Sequence, residues 1–353
     1  MGIEGISFLN EAVRVIILAT ISFIAALVAT PLWLTALGAK RMAKRIRSTL
    51  DAPIYNRYHE KKAGTPTAGG VVIWGTVVVL AGFFWLMSAL FDGFWDYFNF
   101  IDRGQTFLPL AAFIAAAGIG LFDDWIGVRG IGQRGGGLKV RHKLLIYAAI
   151  AAVGAWWFFF KLEWTVLNVP FLGNYEIGAW YIPFFMFIII AAAFSANETD
   201  GLDGLFGGVA LFAFVALTTV AFVLGRYDLA AFGGAVIGAL LAFLWFNIYP
   251  ARFFMGDTGS MSLGITIGVI AMLTNTTLLL PFFAVILVLE STSVLAQLIS
   301  KKWFGKKIFR STPIHHHFEA LGWPESQVTM RFWIISAVAS ALGLVLFFLA
   351  RGL

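Results

Sequence analysis

Four short strings hold the residues whose types and spacing could do chemistry. Gly120-Leu121-Phe122-Asp123-Asp124 sets two carboxylates side by side. Adjacent carboxylates repel, so such a pair calls for a shared proton, a metal or a cation. That makes Asp123 and Asp124 candidates for acid–base or metal-assisted phosphate chemistry; the plainer reading is a polar cap where a helix leaves an apolar phase. The second string runs from Asn197 through Glu198, Thr199, Asp200, Gly201, Leu202, Asp203 and Gly204 to Leu205. Asn197, Asp200 and Asp203 recur every third residue, so in a helical turn they would share a face. The glycines permit close backbone approach to a ligand. The alternative is an N-cap for the next helix, supplied by Asp203. A calcium loop is excluded, because its twelve-residue pattern with a closing Glu is absent.

The third string runs from Asn247 through Phe254 to Gly256-Asp257-Thr258-Gly259 and Ser260. A Gly-Asp-Thr-Gly turn just before an apolar helix aims backbone N–H groups at an anion while the carboxylate holds a cation. Mg²⁺ takes one or two carboxylates plus phosphate oxygens, so Asp257 is the first choice of metal ligand. The fourth string is Pro313-Ile314-His315-His316-His317-Phe318-Glu319. Successive helical side chains point apart, so a tetrahedral zinc site is disfavoured, and imidazoles gripping a pyrophosphate fit better. Weaker candidates are Lys62, ahead of Gly64-Thr65-Pro66-Thr67, and Glu290 with Gln297, seven residues apart. A structural interhelical hydrogen bond is the default for Glu290.

These strings need elements to position them, and composition says which. The 353 residues are 60% hydrophobic and 12% charged, about half the charged fraction of a soluble domain. Lipid is therefore the main solvent. Crossing its core takes roughly 20 apolar residues in a helix, since backbone polar groups must pair internally. Such stretches fall at about 13–37, 68–90, 107–122, 144–162, 178–195, 204–224, 230–249, 260–276, 278–299 and 330–350. The expected fold class is all-α, a polytopic membrane protein with about ten transmembrane helices and a single domain over 1–353. Cysteine is absent, which rules out disulfides and thiolate metal sites.

Orientation follows from Lys and Arg. The first loop carries Lys40, Arg41, Lys44, Arg45, Arg47, Arg57, Lys61 and Lys62; the third Arg129, Arg134, Lys139, Arg141 and Lys143; the last Lys301, Lys302, Lys306, Lys307 and Arg310. Loops of the other parity hold Arg103, Lys161 and Arg226, and scattered acids such as Asp92. Odd loops are thus expected to be cytoplasmic and both termini to face outward. This asymmetry accounts for the net charge of +6 without a nucleic-acid partner. The first stretch is too long for a signal peptide and lacks a basic leader. All four strings fall on the basic side.

Together the strings resemble the phospho-N-acetylmuramoyl-pentapeptide transferases, within the polyprenyl-phosphate N-acetylhexosamine-1-phosphate transferases. The resemblance runs from about Lys61 to Trp323. It rests on Gly64-Thr65-Pro66-Thr67, Asp123-Asp124, Asn197 to Leu205, Phe246-Asn247 through Gly264, and Pro313 to Phe318 followed by Gly322-Trp323-Pro324-Glu325. It implies a bacterial inner-membrane enzyme, multi-pass, with a cytoplasmic active site. The implied reaction takes undecaprenyl phosphate and UDP-N-acetylmuramoyl-pentapeptide to lipid I and UMP with Mg²⁺, the first membrane step of peptidoglycan biosynthesis.

It also implies roles. Asp257 would bind Mg²⁺, and Asp123 and Asp124 would sit beside the carrier phosphate, one as base. Asn197, Asp200, Lys62 and Phe254 would line the uridine region, Phe254 by stacking. Asn247, His315, His316, His317 and Gln297 would complete the donor pocket, His316 near the chemistry, and Thr67 is a further donor contact. Where the family usually has lysines, this chain has Gly127 and Gly136, so Lys143 or Arg141 would meet the carrier phosphate. Two other readings compete. One is a sister transferase using UDP-N-acetylglucosamine; the other is a transporter or flippase, against which the acids cluster at one face and not at the midplane. Oligomeric state is left open by the sequence, a homodimer among the options.

Overall fold

The computed structural model describes residues 3–39, 42–43, 62, 64–91, 93–102, 104–131 and 136–352. Of the residues named above, Lys40, Arg41, Lys44, Arg45, Arg47, Arg57, Lys61, Asp92, Arg103 and Arg134 lie outside the described residues. Among the described residues thirteen α-helices follow in order: α1 (Ile3–Ala39), α2 (Val71–Leu90), α3 (Phe94–Phe98), α4 (Phe107–Arg129), α5 (Val140–Trp156, prolonged by a wider turn to Lys161), α6 (Tyr181–Thr199), α7 (Leu205–Val223), α8 (Tyr227–Asn247), α9 (Gly256–Leu273), α10 (Leu280–Phe283), α11 (Val285–Phe304), α12 (Ile314–Ala320) and α13 (Glu325–Arg351). Between α5 and α6, β1 (Val166–Val169) pairs antiparallel with β2 (Gly173–Glu176).

Among the described residues nine helices are long and apolar enough to cross a membrane, and α10 with α11 makes a tenth span broken by a 91° bend. The ten expected stretches are all present, so the chain is a multi-pass membrane protein of the all-α class. The boundaries differ. The third stretch, expected to end at 122, continues to Arg129, which puts Asp123 and Asp124 inside α4. The ninth, expected as one rod, breaks at Ala284, whose ψ of 39° leaves the helical region. The β-hairpin has no counterpart among the expected elements.

Burial grades from rim to centre. The apolar window of α9 is 94% buried against 22% for α1, so α9 is the post around which the bundle is built. With lipid outside, helices associate through small residues and polar contacts rather than by hiding apolar surface. The crossings bear this out. A Cβ at Gly120 of α4 would strike the Asp257 carbonyl of α9, and one at Gly70 would strike the backbone of Gly259. On the rim, Gly238 of α8 lies against the Ala19 carbonyl of α1, and Ser22 donates to the Ala235 carbonyl at 2.6 Å. Such an interhelical bond contributes about 1 kcal/mol. At the break, the Ser340 hydroxyl of α13 donates to the Phe283 carbonyl at 3.1 Å. A Cβ at Gly343 would lie 2.7 Å from the Phe283 ring, so only glycine admits that ring.

Side-chain contacts gather the end of α4, start of α5, end of α6, start of α7, end of α8 and start of α9 at one end of the bundle, with the end of α11 and the start of α13.

Candidate active site

At that end, Lys143 on the first turn of α5 puts its ammonium between two carboxylates. Nζ lies 2.9 Å from Asp123 on α4 and also pairs with Asp257 on α9. Asp257 accepts in addition from the Asn197 side-chain amide on α6, and Asn197 lies 3.4 Å from the Ser260 hydroxyl. Asp123 is 3% exposed, and its other oxygen accepts the Leu138 N–H at 2.5 Å. Four helices thus converge on one point, through residues as far apart in the chain as Asp123 and Asp257.

The second carboxylate of the pair does something else. Asp124 accepts the N–H of Asp257 at 3.0 Å and that of Thr258 at 3.1 Å, with the Thr67 hydroxyl 3.4 Å away. These N–H groups belong to the first turn of α9, which has no intrahelical partners for them. Asp124 is a cap supplied from another helix, and its charge complements the helix dipole. This corrects the expectation for Gly256-Asp257-Thr258-Gly259. Those residues are the first turn of α9 rather than a loop before it, and the anion their N–H groups hold is Asp124.

The Asn197 string also departs from expectation. Helix α6 ends at Thr199, and Asp200 has ψ 55°, so Asn197, Asp200 and Asp203 do not share a helical face. Gly204, with φ of 71°, precedes α7, and no side chain caps that helix. Asp203 turns away to Lys62, 2.7 Å from its Nζ, and takes the Ala251 N–H at 3.0 Å. Glu325 at the start of α13 completes this cluster by pairing with Lys62 and accepting the Asp203 N–H at 2.6 Å. Burial works against the Lys62 charge, but the Glu325 and Asp203 carboxylates outweigh it and hold its pKa above the ordinary lysine value. The Lys62 ammonium stands 6.0 Å from the Phe254 ring centroid. Glu325 belongs to the strings that carry the family resemblance but has no role assigned by it; an acid after Pro at a helix start is the signal the sequence offers.

Several polar residues near these strings are absorbed by main chain. Asn247 accepts from Gly204 N–H at 3.0 Å and donates to the Phe253 carbonyl at 2.8 Å. Gln297 accepts from Ile308 at 2.9 Å and Phe309 at 3.1 Å, and donates to the Phe309 carbonyl at 2.9 Å. His317 accepts the Arg310 N–H at 3.1 Å through Nδ1. These contacts hold the loops beside the site rather than presenting free groups to it.

His315, 1% exposed, has Nδ1 3.0 Å from the Glu290 carboxylate of α11, and its ring fills the space a Cβ would take at Gly201. Its ring centroid is 4.1 Å from that of His316, and His316 bonds Glu319 at 2.6 Å. The fourth string therefore abuts the turn after Asp200. Burial lowers the His315 pKa, but Glu290, then Glu319 and Glu198, outweigh it and raise it above the ordinary 6.5. A pKa raised by folding stabilises the fold below the unfolded value and stops doing so as pH climbs through the folded one. The Tm difference between wild type and Glu290→Gln should thus be widest below about pH 6.5 and shrink above it. A difference that stays level across that range in thermal melts would remove the ionic contact.

The donor set at Asp123 and Asp257 fits Mg²⁺. An ammonium already sits where their hard oxygens meet, so the point favours a cation. Among the described residues no three His, Asp or Glu side chains gather into a closed cage.

Residues 106–275 match the family described as Glycosyl transferase family 4. Taken with the helical membrane body and the relatives that follow, this makes the protein a membrane-embedded phospho-sugar transferase. A phospho-N-acetylmuramoyl-pentapeptide-transferase of Chloroflexus aggregans is 36% identical over 350 residues, covering 96% of this chain and 90% of the relative. One from Anoxybacillus flavithermus is 36% identical over 95% of this chain and 98% of its own. One from Thermoanaerobacter sp. is 36% identical over 92% and 96%. The chain belongs to the phospho-N-acetylmuramoyl-pentapeptide-transferase family.

Proposed function

We propose that the protein transfers phospho-N-acetylmuramoyl-pentapeptide from its UDP-linked donor to undecaprenyl phosphate, releasing UMP and forming lipid I, at the cytoplasmic face of a bacterial plasma membrane. This would be the first membrane step of peptidoglycan biosynthesis. The observation that carries it is the meeting of Asp123, Lys143, Asn197 and Asp257 at one point on the basic side of the bundle.

Phosphoryl transfer asks mainly for positioning and charge neutralisation. An oxygen of the carrier phosphate attacks the β-phosphorus of the donor, and the bond to the UMP oxygen breaks. Asp257, with Asp123 beside it, would hold Mg²⁺, which when bound neutralises the pyrophosphate. Lys143 would turn from the carboxylates to the carrier phosphate, the role left open by Gly127 and Gly136. Asp124 has both oxygens committed to α9, so Asp123 is the better base; Oδ2 would take the carrier's proton once Lys143 swings away. Asn197 orients Asp257. Lys62 and Phe254 would face the uridine, with Asp200, Thr67 and Asn247 shaping that side. His315 and His316 would meet the donor's phosphates, with Gln297 and His317 holding their loop.

Purified protein given labelled UDP-N-acetylmuramoyl-pentapeptide, undecaprenyl phosphate and Mg²⁺ in detergent should yield a lipid-linked product and UMP. UDP-N-acetylglucosamine should yield neither. Product from the second donor alone would move the enzyme to the sister activity, and no UMP from either would remove the transferase reading.

A further inference from the structure

The opposite end of the bundle holds a cleft of about 440 Å³, within the size range of small-molecule sites. Its walls come from the β-hairpin, the α7–α8 connection, the end of α9 and the end of α13. Two guanidiniums line it, Arg226 and Arg351, with Asn168, Asn174 and Asn275. Among the described residues no acidic side chain lines it.

This runs against the rest of that end. Arg14, the buried arginine there, is neutralised by Glu11 at 3.1 Å and Asp228 at 2.7 Å. Arg226 and Arg351 make no ion pair among the described residues; each is instead steadied by a ring. Arg226 lies 5.5 Å from the Trp164 ring centroid, and Arg351 lies 5.1 Å from that of Phe347. Two uncompensated charges held in one cleft repel each other, and an anion between them would relieve that. Guanidiniums favour anions with planar or forked oxygens, phosphate above all.

The cleft is also built rather than incidental. Asn275, at a positive φ of 51°, accepts the Asn168 N–H at 3.0 Å and donates to the Val166 carbonyl at 3.1 Å. Asn168 in turn donates to Asn174 at 2.8 Å. The hairpin is thereby pinned over the bundle as one wall. Beside it a small recess of about 10 Å³ has mixed walls, with Pro170, Leu278 and Phe347 next to Asn168, Thr276 and Arg351. At the hairpin's turn Phe171 and Leu172 are 61% and 69% exposed. A phosphate site bordered by apolar surface at a membrane face suits an amphiphile better than a free ion.

We propose that this cleft binds the phosphodiester headgroup of an anionic phospholipid from the leaflet on that side, with Arg226 and Arg351 on the phosphate and the acyl chains along the exposed Phe171 and Leu172. The site is remote from the carboxylate–lysine cluster and does not depend on the transferase reading.

The test uses delipidated, detergent-purified full chain. It is titrated with dihexanoyl phosphatidylglycerol, dihexanoyl phosphatidylcholine or inorganic phosphate, and Tm is followed. Phosphatidylglycerol should raise the Tm of wild type. A guanidinium at a membrane surface strengthens binding by about fivefold, so the Arg226→Gln/Arg351→Gln double variant should bind on the order of 20-fold more weakly. Its transferase turnover should equal wild type. A Lys301→Gln/Lys302→Gln variant at the other end should keep the shift. Three outcomes overturn the proposal. The double variant responds as wild type does, phosphate alone matches phosphatidylglycerol, or the lysine variant loses the shift while the arginine variant keeps it.

Discussion

Asp257→Asn is expected to abolish Mg²⁺-dependent turnover, with kcat falling by about 10³-fold or more. The substitution keeps the shape and leaves an oxygen for Asn197, so the first turn of α9 should stay in place. What it removes is the charge that pairs with Lys143 and that, on the proposed function, would hold the metal. Electrostatic groups aimed at developing charge in a water-poor site contribute on the order of 10²–10³-fold each, and a lost metal ligand adds to that. The measurement is kcat in detergent across a Mg²⁺ titration. Activity close to wild type at any Mg²⁺ concentration would remove Asp257 from the site.

Lys143→Met should act on stability and turnover together. Without the ammonium, Asp123 and Asp257 face each other with no counter-charge, and breaking a buried pair in this way costs about 3–5 kcal/mol. The cost should lie at the lower end, because the Asp257 side chain keeps 21% exposure. In chelator the variant's Tm should fall well below wild type. Added Mg²⁺ should raise it by more than it raises wild type, since the ion then takes the vacant counter-charge. Turnover should drop by about 10²-fold. Equal Mg²⁺ responses in the two proteins would mean that the carboxylates do not share a cation site.

The membrane body is legible in the sequence because hydropathy and the placement of Lys and Arg report directly on the solvent each segment meets. The ten spans follow from that alone. The break between α10 and α11 does not, because Ala284 itself carries no mark of a bend; Ser340 and Gly343 of α13 meet the chain there, at Phe283. The clustering of polar strings at one end is legible through loop parity. Their internal geometry is less so. The spacing of Asn197, Asp200 and Asp203 suggests one helical face, but Thr199 ends the helix, and Lys62 with the distant Glu325 draws Asp203 elsewhere. Asn247, Gln297 and His317 look like ligand residues in sequence. Satisfying a backbone amide away from water calls for the same side chains as gripping a substrate, so residue type alone cannot separate the two uses. The division of labour between Asp123 and Asp124 is likewise invisible in the string: only the position of α9 tells which of two neighbours caps a helix.

The last helix also shapes its neighbour. Ser340 and Gly343 offer a hydroxyl and a notch to Phe283, at the place where a membrane segment abandons its own hydrogen-bond ladder. Helix α13 thus behaves as a die against which α10 and α11 are pressed into an elbow. The bent shape is then a joint possession of two separate stretches of chain, and neither could keep it if they were expressed as separate fragments.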